Sequence, residues 1–529
     1  MALSFKEIVN SRSGKKVMIN NKFYQHKIWQ LLVLGLLISS FSPIHAQEEA
    51  ENNYSLQITV NSEQDLLIPD ENLTLREAIL LVNGTLVLAD LTDAEQAQIQ
   101  VSSEKENKIN FDLSTDETII YLDSLLPPLT RSNLIIDGTN TGEETVNFQP
   151  TVAITPNPEQ TILRGLTILA DEITIRGLSV YGFTSPVREI AATPAGDIVI
   201  ASQVLSQQKN TVAQRTIPQN IIIEDNWLGV APEQEVITQF SAFGVTVFEG
   251  KKVTIQNNLI ANHSGSGILT GINAEELRIE GNKIIDNGLT GIPDAIRLEG
   301  QINNTEISNN KIINNAGSGI FLFKTKGATV ITDNEIIGNG LRFKRAGIYL
   351  MGNDHKVTNN IINNHDGAGV VVSAYPESRR NFILNNRFAN LDGLSIDLVT
   401  RNQTRVQDYQ SGDGVNPIRD TRNRRQDTGN AAINAPQFLA QEFYRIGEMT
   451  NIDGIADPGS TISLYQVAGE GQHGPLSEPI AEVVTDEDGQ FEATLELQPG
   501  EIISAIATLP EYGTSEPARN AVILSLTQF

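Results

Sequence analysis

The chain has 529 residues, a formal net charge of −26 and no cysteine. Its length supplies material for a large core and more than one domain, and its acidity argues against nucleic acid and anionic membranes while suiting cations such as Ca²⁺. Thiol nucleophiles, thiolate metal sites and disulfide staples are excluded, so an exported form must rest on its own core.

Residues 1–46 read as a signal peptide. Lys15, Lys16, Lys22 and Lys27 precede the apolar run LLVLGLLISSF, and SPIHA follows, ending at Ala46. The run is too short for a membrane span, and no later segment offers one after cleavage. The basic region is long, which makes Met18 an alternative start to Met1. Removal of residues 1–46 leaves 32 basic and 63 acidic residues, a charge of −31. The expected location is secreted or cell-surface.

Residues 47–150 lack the repeat found later. Here LTLREAILLVNG predicts a short amphipathic helix, with Thr74 and Glu77 as a capping box and Asn83-Gly84 as the stop. A solenoid exposes unpaired backbone at its first coil, so this helix is assigned to an N-terminal cap. Strands NKINFDL, ETIIYLD and SNLIIDG follow.

Residues 151–400 repeat one pattern: an apolar residue, an Asn three positions on, and another apolar residue two further. The Asn positions are Asn226, Asn258, Asn282, Asn310, Asn334, Asn360 and Asn386, at intervals of 32, 24, 28, 24, 26 and 26 residues. A second Asn follows at Asn262, Asn287, Asn315, Asn339, Asn364 and Asn390, then a Gly and an aliphatic residue. Alternating runs such as LRIEGNKII and GIYLM have strand spacing, and a coil of roughly 25 residues fits a parallel β-helix. Coils about 4.8 Å apart place equivalent amides one above another, so the asparagines are expected to form a hydrogen-bonded ladder. Asn and Gly also tolerate the left-handed backbone of tight corners, so the same asparagines read as corner posts. Residues 191–219 read as a loop leaving the stack.

Residues 401–431 are polar and rich in Gly and Asp, a loop or linker. Residues 432–529 hold short alternating strands bounded by Gly, Pro and Asp turns, which suggests an immunoglobulin-like β-sandwich. The expected fold is all-β: a parallel β-helix solenoid with an N-terminal cap and a C-terminal sandwich.

Three stretches give a family resemblance. LTLREAILLVNG is similar to the Cys-Ser-Leu-Arg-Glu-Ala motif of bacterial surface proteins, with Thr74 in place of the serine and the cysteine missing. IEDNWLGV and the Asn/Gly coils resemble the repeats of the same proteins. The run from GLSIDL through GDGVNP and DTGNAAINAPQF to ATLPEYGTSEPA resembles their C-terminal module. The chain thus resembles secreted bacterial right-handed parallel β-helix proteins of the pectin lyase-like superfamily. The resemblance implies fold more than activity, because that fold hosts lyases, hydrolases, esterases, epimerases and non-enzymatic adhesins.

No catalytic set assembles from the residues. The polygalacturonase motifs of the superfamily are absent, and the chain has no Asp-Asp pair. His473 lies in QHG of the sandwich region. After the signal only His263, His355, His365 and His473 remain, without metal-ligand spacing. Arg297 stands near Asp294, where a solvated ion pair outweighs a lyase base. No cofactor is required; Ca²⁺ is compatible with Asp413 in GDGVNP and Asp427 in RQDTG, while Asp486 to Gly489 reads as an ordinary hairpin turn.

The expected function is a non-catalytic exported surface or matrix protein that binds polysaccharide on the solenoid face. The alternative is a carbohydrate-active enzyme, a polysaccharide lyase or glycoside hydrolase. Alternation points Ile296, Ile320, Ile348 and Val370 inward. Arg297, Phe321, Tyr349 and Val371 then stack along the outside, with Phe323 and Met351 beside them. Arg297, Phe321, Phe323, Tyr349 and Met351 are the candidate sugar-binding stripe, since aromatic faces and a guanidinium fork suit rings and uronates. The competing expectation is an aromatic stack beneath a loop such as GLRFKRA.

Overall fold

The computed structural model describes residues 55–525, apart from 115–117, 140–148, 185–194, 206–213, 233–236, 238, 341, 375–376, 401–409, 420, 422–427 and 470. Residues 1–46, assigned above to the signal peptide, lie outside the described residues, as do much of 191–219 and most of 401–431.

Three parallel stacks of short strands wrap one core. Each is held by in-register pairing of equivalent residues, as a parallel β-helix requires. Face one aligns Val245, Ile268, Ile296, Ile320, Ile348, Val370 and Ile396. Face two aligns Ile255, Ile279, Ile307, Ile331, Val357 and Ile383. Face three aligns Ile260, Ile284, Ile312, Ile336, Ile362 and Phe388. These side chains are buried and meet in one continuous hydrophobic cluster. Each contributes on the order of 1.5–3 kcal/mol by leaving water. Faces one and two share the strand Val245–Gln256.

The stacks begin ahead of residue 151. Ser55–Val60, Asn107–Phe111, Leu134–Asp137 and Ile173–Arg176 already pair in sequence on face two. On the outside of these early coils Asp137 bonds Lys108 at 3.0 Å and Arg176 at 2.6 Å. Its two cationic neighbours and its hydrogen bonds hold the Asp137 carboxyl well below the usual carboxylate range, despite partial burial. The helix Leu75–Val82 packs against Ser55–Val60. Thr74 and Glu77 bond reciprocally across its first turn. Leu75, Ala78, Ile79 and Val82 are buried in the solenoid core.

The C-terminal module runs from Gln437 to Ser525. Among the described residues it forms a nine-stranded mixed sheet. Glu442–Ile446 and Ala521–Ser525 run parallel, and its other pairs are antiparallel. Phe438, Phe443, Ile452, Ile462, Leu464, Phe491, Ile503 and Ile523 belong to a core of its own. Tyr465, Leu476 and Ile506 instead join the solenoid core, which continues without a break into this module.

Candidate functional site

The asparagine column is the most regular polar feature. Asn226 Nδ2 donates to Asn258 Oδ1 at 3.1 Å, Asn258 to Asn282 at 3.0 Å and Asn282 to Asn310 at 3.0 Å. Asn310 donates to Asn334, Asn334 to Asn360 and Asn360 to Asn386, each at 2.9 Å. Every recipient Oδ1 also accepts the backbone N–H of the preceding asparagine. All seven are buried. The amide suits this place because it gives and takes at once, so no buried polar atom is stranded.

The corner residues are different ones. Asp225, Asn257, Gly281, Asn309, Asp333, Asn359 and Asn385, each just before a ladder asparagine, take φ between 54° and 65°. The expectation that one asparagine serves as ladder and corner is corrected accordingly: a side chain aimed into the turn needs an ordinary backbone, and its predecessor takes the left-handed strain. The second set divides likewise. Asn287, Asn315 and Asn339 form a second buried ladder, while Asn262, Asn364 and Asn390 are left-handed corners.

His263 occupies the second ladder one coil earlier. Its Nδ1 meets Asn287 Oδ1 at 2.7 Å, and its Nε2 meets Asp197 Oδ2 at 2.8 Å. Ser241 Oγ donates to Asp197. Serine, aspartate and histidine thus meet, but the serine faces the aspartate rather than the imidazole, and all three are buried. The base cannot reach the hydroxyl, so this is a structural network rather than a nucleophile. Burial raises the Asp197 carboxyl despite its partners.

The candidate stripe lies on the outside of face one. Phe321 and Tyr349 stack at 4.7 Å with 5° between their planes. The Arg297 guanidinium lies 4.9 Å from the Phe321 ring centre and 4.6 Å from that of Phe323. Alternation places these side chains outside the solenoid core, where they form a second cluster with Met351, Val371, Ala346, Ala368 and Val399. Phe321 and Met351 are 0% exposed and Tyr349 is 2% exposed. Burial also raises the Tyr349 hydroxyl pKa, partly offset by Ser373. An open stripe through Phe321, Tyr349 and Met351 is therefore corrected to a covered one. Ala346, the last residue of GLRFKRA, belongs to that cluster, and more distant sequence is tied to its edge: Ala346 N–H donates to Gln410 O and Ala368 N–H to Ser411 O.

Arg297 and Phe323 remain partly accessible at the rim. Arg297 pairs with Asp294 at 3.1 Å and Glu299 at 2.6 Å, and Arg345 pairs with Asp294 at 2.8 Å. Phe343 is 45% exposed, with the guanidinium carbons of Arg342 and Arg345 at 5.1 and 5.5 Å from its centre. Arg342 and Lys344 on either side of it in sequence are exposed, as are Lys324 and Lys326; the Lys324 Nζ lies 5.2 Å from the Phe323 ring centre. Arg342, Phe343 and Arg345 were not singled out from the sequence as site residues. Their signal is the dense RFKR cluster in an acidic chain.

Asp413 lies near the end of the same face. Its Oδ2 accepts from the N–H and hydroxyl of Thr400, each at 3.2 Å, and its own N–H donates to Asp397. Asp427 lies outside the described residues. Among the described residues no three acidic or histidine side chains are arranged to hold a metal ion.

A family model described as a right handed beta helix region matches residues 203–355 and 294–415. The stacked coils are a right-handed β-helix. No curated protein matches the sequence. Among solved structures, a double mutant of the periplasmic alginate epimerase AlgG is 14% identical with a TM-score of 0.38, covering 57% of this chain and 65% of its own. PfbA, a surface adhesin of Streptococcus pneumoniae, is 13% identical with a TM-score of 0.36, covering 55% and 79% respectively. The Dettilon tailspike protein is 14% identical with a TM-score of 0.36, covering 78% and 87%.

Proposed function

We propose that this is an exported surface or matrix protein whose β-helix is a rigid shaft that binds an acidic polysaccharide without chemically altering it. The N-terminal Lys residues and apolar run support export. The alternating strands and separate core of the C-terminal module support its reading as an immunoglobulin-like sandwich appended to the shaft.

One observation carries the binding reading: the basic and aromatic rim beside face one, on a chain of net charge −26. Phe343 offers an exposed ring, and Arg342 and Lys344 flank it with exposed cations. Such a surface stacks on a sugar ring while pairing with its carboxylates or sulfates. Arg345 and Arg297 hold the rim in place through Asp294.

The test is a glycan array and a depolymerisation assay on the full chain with uronate, sulfated and neutral polymers. Salt-sensitive binding to the acidic polymers without chain shortening is expected. A Phe343→Ala, Lys344→Ala double variant should lose at least tenfold in affinity while melting as the parent does. Chain shortening would move the protein to the enzyme alternative, and equal binding to neutral polymers would remove the rim from the argument.

A further inference from the structure

A polar groove opens where face one turns into face two. On three successive coils the residue at this corner, Lys252, Glu276 and Asn304, has a left-handed backbone, with φ of 51°, 57° and 57°. Two positions after the first two of these, alternation turns Thr254 and Arg278 outward on face two, aligned in register. The corner column and the face column stand side by side. Between them lies a cavity of about 340 Å³ lined by Lys252, Thr254, Glu276, Arg278 and Asn304. Ligand pockets run from roughly 300 to 1,000 Å³, so this one suits a single small polar molecule.

Its cations lack the partners that similar positions have. Elsewhere on the solenoid surface a cation meets a carboxylate of the adjacent coil: Arg176 meets Asp137, Lys311 meets Glu335 and Arg380 meets Asp354. Glu276 would complete the same pattern with Lys252, but Lys251 takes it at 3.2 Å. Glu306 stands opposite Arg278 in register, and the two form no ion pair. Among the described residues the side chains of Lys252 and Arg278 bond no other residue, and both are exposed. Two unpaired cations thus line one hollow on a chain of net charge −26.

An oxyanion suits both of them. The guanidinium fork takes two of its oxygens side by side, and the ammonium supplies a further donor. A bare anion would be opposed by the Glu276 carboxylate in the same lining. A sugar acid would not, because its ring hydroxyls can donate to Glu276 and exchange hydrogen bonds with the Thr254 hydroxyl and the Asn304 amide. We propose that this groove binds one acidic sugar residue through its carboxylate or sulfate. The site is separate from Phe343 and its neighbours, and it stands whether or not that rim takes a polymer.

The experiment titrates the full chain calorimetrically with glucuronate, a glucose sulfate, glucose and inorganic sulfate. Glucuronate, the glucose sulfate or both should bind about tenfold tighter than glucose and inorganic sulfate, and the tighter of the two identifies the oxyanion. Arg278→Gln and Lys252→Gln should each weaken that binding about tenfold at an unchanged melting temperature. The Phe343→Ala, Lys344→Ala variant should bind these small sugars as the parent does. Glu276→Ala should weaken the sugars and strengthen inorganic sulfate. Inorganic sulfate bound as tightly as the sugars would reduce the groove to a bare anion site and overturn the proposal. Acidic sugars bound no better than glucose, or binding that survives both Arg278→Gln and Lys252→Gln, would overturn it as well. Small-sugar binding lost only in the rim variant would place the sugar at Phe343, again against the proposal. Polymer binding absent while small-sugar binding persists would fail the rim reading and support this one.

Discussion

The column from Asn226 to Asn386 and the column from Leu269 to Asp397 climb the same coils, yet one repeats a single residue and the other repeats none. Leu269, Arg297, Phe321, Tyr349, Val371 and Asp397 occupy equivalent outward positions on successive strands. Inside the turn, each side chain is donor to one neighbour and acceptor from another, so only the same amide, or a close imitation, fits at every level. Outside, each residue answers to whatever covers it. Arg297 meets carboxylates at the rim, Phe321 and Tyr349 meet Ala346 and Ala368, and Asp397 meets the N–H groups of Asp413 and Gly414. Identity along a column thus marks side chains that bond one another, and variety marks side chains that bond a cover.

Four measurements can break or sharpen this contrast. Phe321→Ala has the largest expected effect. If the outer column is a second core, the variant should lose roughly 3–5 kcal/mol in denaturant unfolding, through lost transfer energy and an unfilled cavity. A midpoint equal to the parent's would reduce that column to decoration.

The next concerns a histidine that imitates an asparagine. His355 Nδ1 accepts the Thr329 backbone N–H at 3.2 Å, and the His355 backbone N–H donates to Asn381 Oδ1 at 3.2 Å. The accepting nitrogen requires a neutral ring, and burial pushes its pKa down to about 4. Between the unfolded value near 6.5 and about 4, the unfolded chain takes a proton that the folded chain resists. Stability should therefore fall as pH drops through that window, by roughly 3 kcal/mol at about 1.4 kcal/mol per unit. His355→Asn keeps an acceptor and should flatten that part of the stability-pH curve. An identical slope in variant and parent would deny the histidine its role as a neutral acceptor for Thr329.

Asn310→Leu should cost roughly 1–3 kcal/mol, because it removes the acceptor of the Asn282 backbone N–H and side-chain amide and one of the two donors to Asn334 Oδ1. Unaltered thermal unfolding would sink the ladder as a source of stability. The smallest effect is reserved for Lys344→Ala on the exposed rim, where stability should stay within about 0.5 kcal/mol of the parent's. A larger loss would mean that the rim supports the fold as well as facing solvent.

The same contrast explains what could be read in advance. The ladder was legible because seven asparagines recur with aliphatic neighbours at fixed offsets, and stacking follows from coil spacing. The helix at Leu75 was legible from its capping box and stop. The division of Asn-Asn pairs into corner and ladder was not, since both members are asparagine and only the backbone angle separates them. The covering of Phe321 and Tyr349 was one of two expectations, and Ala346 of GLRFKRA does belong to their cluster. The alternation that sends a side chain outward says nothing about the Gln410 carbonyl, over sixty residues from Tyr349, accepting the Ala346 N–H. Arg345 was missed for a similar reason, because its partner Asp294 is two coils earlier.

The ladder also has a direction. From Asn226 to Asn360 each side-chain amide donates to the next asparagine's oxygen on the C-terminal side, so the column is polar like a row of aligned magnets. One amide turned end for end would face oxygen with oxygen on one side and nitrogen with nitrogen on the other. Each coil therefore passes its orientation to the next, and a grafted or duplicated coil must arrive pointing the same way to extend the series.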